Sequence, residues 1–249
     1  MNKQLNMKRL LPFFALAVIL SACVKPDNPD EHSTIRFSVL GDSFSAFEGM
    51  VDPETNDVYP YEGIGVTSVE QMWWHKVATE MDWVMERNNS FSGALVCNFD
   101  GFSSGSYYAP NSYLRRMDNL GNPDVIFVFG ATNDIYQRAP LGDFIYSDWT
   151  EEQLCTFRPG LAYLFNGLKR MYPYAEIYCL VDMELCINDT AIDDETRQAF
   201  IESMHRISSR YNVQCIDLYA IHKSHWHPDA IGQEGIANQV LDYLGASVN

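Results

Sequence analysis

Five short apolar runs limit what this 249-residue chain can fold into. They are Ile35 to Leu40, Trp83 to Arg87, Val125 to Phe129, Glu176 to Val181 and Val213 to Leu218. Most are continuous rather than alternating, which is the pattern of parallel strands covered on both faces. Segments with helical signals lie between them. Thr67-Ser68-Val69-Glu70 has the spacing of a capping box and predicts a helix to about Met81, with Trp73, Val77 and Met81 on one face. Pro159 suits the first position of a second helix that ends near Met171, before Pro173. Asp193 or Asp194 caps a third, to about Arg210, and Ala230 to Leu244 forms the last. Strands alternating with helices predict a three-layer α/β/α sandwich around a five-stranded parallel sheet. No internal repeat or second domain is visible, and 34–249 reads as a single domain.

Apolar residues make up 47% of the chain, enough for a sizeable core. The first 22 residues carry Lys3, Lys8 and Arg9 and no acid, which leaves 14 basic against 33 acidic residues beyond them. Such a surface repels polyanions, so nucleic acid is not expected as a partner. The basic N-terminus is followed by the apolar stretch Leu10 to Leu20, too short to span a bilayer comfortably. It ends in Leu20-Ser21-Ala22-Cys23, which resembles a bacterial lipobox. On that reading 1–22 is a lipoprotein signal peptide and Cys23 is lipidated, anchoring the chain by acyl groups. Residues 23–33 are polar and proline-containing and form a flexible tether. The expected location is the bacterial cell envelope, at the outer membrane, with the periplasmic face and the cell surface both open. Five other cysteines remain: Cys97, Cys155, Cys179, Cys186 and Cys215. An odd number cannot all pair internally, and none has zinc-ligand spacing. Cys179 and Cys215 read as small core residues. Cys97 with Cys155 is the disulfide an oxidising compartment would allow.

Gly41-Asp42-Ser43-Phe44-Ser45 directly follows the first apolar run, which places Ser43 at the C-terminal edge of the sheet, where open α/β folds bind ligands. Three more short blocks follow: Asn89-Ser90-Phe91-Ser92-Gly93, Gly130-Ala131-Thr132-Asn133-Asp134, and His227-Pro228 with Gly232 five residues after the histidine. Taken singly, each has a plain reading. Ser43 would cap a helix, Gly93 would serve a turn, Asn133 would bond to loop backbone, and His227 would face solvent. Together and in this order they resemble the four blocks of the SGNH hydrolases of the GDSL type, over essentially the whole chain after the signal segment. The resemblance implies that family's flavodoxin-like sandwich and a serine esterase without cofactor or metal. It assigns Ser43 as nucleophile and His227 as the base that then protonates the leaving alcohol. The backbone N–H groups of Ser43 and Gly93 and the Asn133 amide would bind the oxyanion.

One position departs from the family pattern. The aspartate usually found three residues before the histidine is Ser224 here, in Lys223-Ser224-His225-Trp226-His227. A carboxylate at that place fixes the imidazole tautomer and stabilises its charged form. Three readings stay open: a Ser43–His227 dyad whose imidazole is held by a backbone carbonyl, a carboxylate supplied by Asp182 or Glu184, or a disabled site that only binds. The trio His222, His225 and His227 could suggest a metal, but the resemblance already employs His227 and implies none.

The blocks set a reaction class and not a substrate. Aromatics crowd the segments near the expected site: Phe47, Tyr59, Tyr61, Trp73, Trp74, Tyr107, Tyr108, Tyr136 and Trp149. Flat aromatic faces suit sugar rings, although Trp73 and Trp74 also fit a helix core. With the envelope anchor, this points to an acylated glycan, or another small ester, as partner: a carbohydrate esterase that removes acetyl or a similar small acyl group. The alternatives are a lipid esterase or thioesterase, and a non-catalytic glycan-binding lipoprotein.

Overall fold

A computed structural model describes residues 34–51, 60, 62–100 and 109–246. The expected signal peptide, Cys23 and the expected tether lie outside these, as do Tyr59, Tyr61, Tyr107 and Tyr108. In chain order the elements are β1 (Arg36–Gly41), α1 (Trp73–Met81), β2 (Val84–Ser90), α2 (Tyr113–Arg116), β3 (Val125–Phe129), α3 (Thr132–Tyr136), α4 (Phe157–Met171), β4 (Glu176–Asp182), α5 (Asp194–Arg210), β5 (Gln214–Leu218), β6 (Lys223–Ser224), β7 (His227–Pro228) and α6 (Ala230–Leu244).

The first five strands form one parallel sheet in the order β2-β1-β3-β4-β5. Consecutive side chains on a strand point to opposite faces, and both faces are dry. From β3, Ile126 and Val128 join a cluster with α4 and α5, including Leu161, Leu164, Phe165 and Ile207. Val125, Phe127 and Phe129 join the cluster on the other face, with Trp73, Trp74 and Val77 of α1 and Ile236, Val240 and Leu241 of α6. A residue run that must satisfy two cores cannot alternate polar and apolar, which is why β3 reads as continuous VIFVF. The result is a three-layer α/β/α sandwich. β1 is the strand from which the chain winds out in both directions, so the crevice at its C-terminal end is the topological switch point.

Some boundaries differ from the sequence expectation. The N-terminal cap near Thr67 is built one residue later: Gln71 Oε1 accepts from the N–H groups of Thr67 (2.6 Å) and Ser68 (3.1 Å). It closes only a short 3₁₀ turn, Val69–Gln71. α1 starts afresh at Trp73, whose N–H is taken by the buried Gln233 Oε1 of α6 at 3.0 Å. α4 begins two residues before Pro159, which still lies in the first turn, where a missing N–H costs no helical bond. β2 continues past its apolar part to Ser90, because Asn89 and Ser90 pair with Leu40 and Gly41 of β1. Cys97, Cys155, Cys179, Cys186 and Cys215 are all free thiols, so no Cys97–Cys155 bridge is formed.

Candidate active site

Ser43 sits in the turn that leaves β1. Gly41 allows that turn because a Cβ there would lie 2.7 Å from Ser90 Oγ and 2.8 Å from Ser45 Cβ. The turn is closed from within: Asp42 Oδ1 accepts the Phe44 N–H at 2.9 Å, and the Asp42 carbonyl accepts the Ser45 and Ala46 N–H groups, both at 3.1 Å. Ser43 is buried, and its Oγ lies 2.9 Å from Nε2 of His227, although 184 residues separate the two in sequence.

His227 is delivered by the β6–β7 hairpin, in which Ser224 pairs with His227. The connecting residues, His225 and Trp226, have φ of 46° and 72°. Two positive φ values are what a two-residue type I′ turn demands, yet neither residue is the glycine or asparagine that usually fills it. The turn brings the His225 carbonyl oxygen to 3.0 Å from His227 Nδ1. With Nδ1–H donating to that carbonyl, Nε2 is the acceptor left for the Ser43 hydroxyl. Burial, helped by the Lys223 ammonium, holds the His227 pKa below the ordinary histidine value of 6.5. The imidazole is therefore neutral and basic near pH 7. Phe44 packs against its ring at 5.7 Å, edge to face.

The other candidates for orienting His227 do something else. Ser224 Oγ donates to the Gly63 carbonyl at 3.4 Å. Asp182, fully buried at the end of β4, takes the Lys223 ammonium at 2.5 Å and the Glu184 N–H at 2.9 Å. Neither Asp182 nor Glu184 is hydrogen-bonded to His227. Asp182 still touches the machinery at one remove, because Lys223 is in the hairpin and its ammonium lies 5.5 Å from the Phe44 ring centroid. His222 pairs with Asp229 at 2.5 Å, and among the described residues no three His, Cys, Asp or Glu side chains converge in a way that could hold a metal ion.

The expected oxyanion donors are Ser43 itself, Gly93 and Asn133. Gly93 has φ 78°, backbone that favours glycine. Among the described residues, neither the Gly93 nor the Ser43 N–H has an acceptor. Asn133, on α3 just past β3, gives its Nδ2 hydrogens to the Ala94 carbonyl at 3.1 Å and to Asp42 Oδ2 at 3.2 Å. This places the amide between the nucleophile turn and the Gly93 loop.

Two supporting residues were not legible in the sequence. Asp134, fully buried, accepts the N–H groups of Val96 (2.8 Å) and Cys97 (3.2 Å) and so holds the loop after Gly93. Arg116 donates to the Gly41 carbonyl at 3.1 Å, the Asn111 carbonyl at 2.7 Å and the Asn89 carbonyl, tying the ends of β1 and β2. Burial pushes Asp42 up to about 7 and Asp134 up to about 6, and pushes Arg116 down to about 10. Asp134 does stand in a recognised block, directly after Asn133. Arg116 carries no local signal.

A cavity of about 220 Å³ opens onto Ser43 and His227. Its wall includes Thr132, Asn133, Tyr136, Ile187, Lys223 and Trp226. Of the expected aromatics among the described residues, Tyr136 lines this cavity and Phe47, Trp73, Trp74 and Trp149 do not. Trp73 and Trp74 are core, Phe47 packs on the same core, and Trp149 packs against Tyr163 with ring centroids 5.4 Å apart.

A family model described as GDSL-like lipase/acylhydrolase matches residues 35–244. Among solved structures, a candidate GDSL-like lipase from Bacteroides ovatus ATCC 8483 is 41% identical with a TM-score of 0.76, covering 86% of this chain and 99% of that one. A second candidate GDSL-like lipase, from Bacteroides uniformis ATCC 8492, is 36% identical with a TM-score of 0.76, over 86% and 97% of the two chains. A carbohydrate esterase, described as having divergent catalytic and non-catalytic binding functions, is 18% identical with a TM-score of 0.57, over 86% and 69%, a likeness of fold alone. No curated protein matches.

Proposed function

The chain belongs to the GDSL-like lipase/acylhydrolase family and is a serine ester hydrolase, and from that premise we propose that it is a carbohydrate esterase that removes acetyl or another small acyl group from a glycan by a Ser43–His227 dyad. The observation that carries the mechanism is the 2.9 Å contact between Ser43 Oγ and His227 Nε2, with the His225 carbonyl behind Nδ1.

In this reading His227 takes the Ser43 proton as Oγ attacks the ester carbonyl. The tetrahedral oxyanion is met by the N–H groups of Ser43 and Gly93 and by Asn133 Nδ2, which exchanges one of its two internal bonds for the substrate. Collapse expels the alcohol, protonated by His227. Water then attacks the acyl-serine with His227 again as base, releasing the acid and restoring Ser43. Each oxyanion donor is worth about 3–4 kcal/mol in the transition state. The imidazolium formed in each half-reaction is held by a carbonyl dipole where relatives use a full negative charge.

A cavity of about 220 Å³ favours a small substrate portion over a long acyl chain. Half-exposed Tyr136, Ile187 and Trp226 also suit a lipid or thioester substrate, which is the second reading. A series of p-nitrophenyl esters separates the two: a preference for two carbons supports deacetylation, and a preference for eight or more overturns it. The intact dyad counts against a site that only binds. The Leu20-Ser21-Ala22-Cys23 motif supports lipidation at Cys23 and an outer-membrane address. Cys23→Ala should move the chain from the membrane fraction to the soluble one; an unchanged membrane fraction would contradict the anchor.

A further inference from the structure

The β6–β7 hairpin holds Trp226 in backbone that side chains other than glycine rarely adopt, with φ of 72°, while leaving it 52% exposed. A large apolar side chain that is both conformationally costly and poorly buried does not repay its place through packing. Such outliers cluster at functional sites, and this one lines the cavity and stands next to His227.

The reaction gives that place a meaning. The leaving oxygen must come within reach of His227 Nε2 to receive its proton, so the alcohol lies on the hairpin side. The acyl carbonyl lies on the side of Gly93 and Asn133. We infer that Trp226 is the leaving-group platform, a flat face on which the sugar ring of the ester's alcohol stacks as His227 protonates its oxygen. This rests on the esterase reading above and names its alcohol subsite. The rest of the wall fits a ligand with apolar faces and polar edges. Tyr136 and Ile187 are half exposed there, and Asn188 and His225 add polar groups. Thr132 Oγ1, also in the wall, is buried and has no hydrogen-bond partner among the described residues. An alkyl chain has no use for these polar groups, whereas a sugar ring uses both kinds.

The test compares the full-length chain with Trp226→Ala, Trp226→Gly and Trp226→Tyr on two acetate esters, an O-acetylated methyl pyranoside and ethyl acetate. Losing the stacking face should raise KM for the pyranoside about ten-fold in the Ala and Gly variants, with kcat little changed. KM for ethyl acetate should stay the same, and Trp226→Tyr should keep most of the pyranoside affinity. Glycine relieves the backbone, so Trp226→Gly should also raise the melting temperature by about 2–4 °C while weakening binding. A merely structural tryptophan would not separate the two esters. Equal effects on both esters, or unchanged constants for the pyranoside, would overturn the platform. If the parent chain hydrolyses neither ester in a Ser43-dependent way, the esterase reading fails and the platform falls with it.

Discussion

The Nδ1 proton of His227 rests on the carbonyl oxygen of His225, two residues earlier, at 3.0 Å. In the proposed dyad, this hairpin turn takes over the orienting work that the family pattern gives to a side chain three residues before the histidine. The arrangement fixes the tautomer and supplies a dipole, but no formal charge. On the proposed mechanism Ser224, whose hydroxyl reaches the Gly63 carbonyl, is not needed for the chemistry.

Ser224→Ala should therefore leave kcat/KM within about three-fold, because the lost hydroxyl bonds Gly63 and not the imidazole, and surface bonds of this kind are worth about 1 kcal/mol. Ser224→Asp should preserve or raise activity by adding a charge beside the hairpin. Steady-state kinetics on p-nitrophenyl acetate checks both, and a loss of more than a hundred-fold in the Ala variant would mean that Ser224 orients His227 after all.

Asn133→Ala should lower kcat by about 10²–10³ with little change in KM, the mark of a donor used only in the transition state. Asn133 also braces Asp42 and Ala94, so circular dichroism must show that the variant stays folded. A change in KM alone would place Asn133 in ground-state binding instead.

Burial, and after it the charge of Lys223, lowers the pKa of His227 and keeps the imidazole neutral. The acid limb of kcat/KM should lie below pH 6.5, since activity needs the base form. The double variant Lys223→Met with Asp182→Asn removes the charge without stranding its partner. It should move that limb towards higher pH. Asp182→Asn alone strands a buried ammonium and should cost about 3–5 kcal/mol of stability, more than the double variant does. A limb that stays fixed in the double variant would show that Lys223 does not act on His227.

Asp42 and Asp134 give stability a pH dependence of defined sign. Their folded pKa values, about 7 and about 6, lie above the ordinary 3.8. The fold binds these protons more tightly than the unfolded chain does. This contribution is complete below about pH 4 and is lost as pH rises through 6 and 7. Asp42→Asn should gain melting temperature relative to the parent as calorimetry moves from pH 5 to pH 8. A constant difference would mean that Asp42 titrates normally.

Much of this was legible where the signal is local. β3 and β4 announce themselves as apolar runs because both faces are buried, and Asp193 caps α5 through its own side chain. The blocks that hold Ser43, Gly93, Asn133 and His227 stand out because each follows a strand or begins a late loop, and the fold does bring Ser43 and His227 into contact. What escaped depends on distant partners. Gln233 of α6 starts α1 by accepting from Trp73, so the boundary is written 160 residues away. Arg116, one of two adjacent arginines, bears no mark in the sequence of the three carbonyls that folding puts around it. The turn at His225 and Trp226 lacks the glycine or asparagine that would mark it. The period of α1 turns Trp73 and Trp74 into the core, the second of the two readings their sequence allows, while Trp226, in the cavity wall, stands apart from the aromatic clusters.

The most direct test is hydrolysis of p-nitrophenyl acetate by the full-length chain beside Ser43→Ala and His227→Ala. The account predicts turnover by the parent and a loss of at least about 10³-fold in each variant. A parent rate matched by Ser43→Ala would contradict it, because the 2.9 Å contact between Ser43 and His227 would then not be the reacting pair.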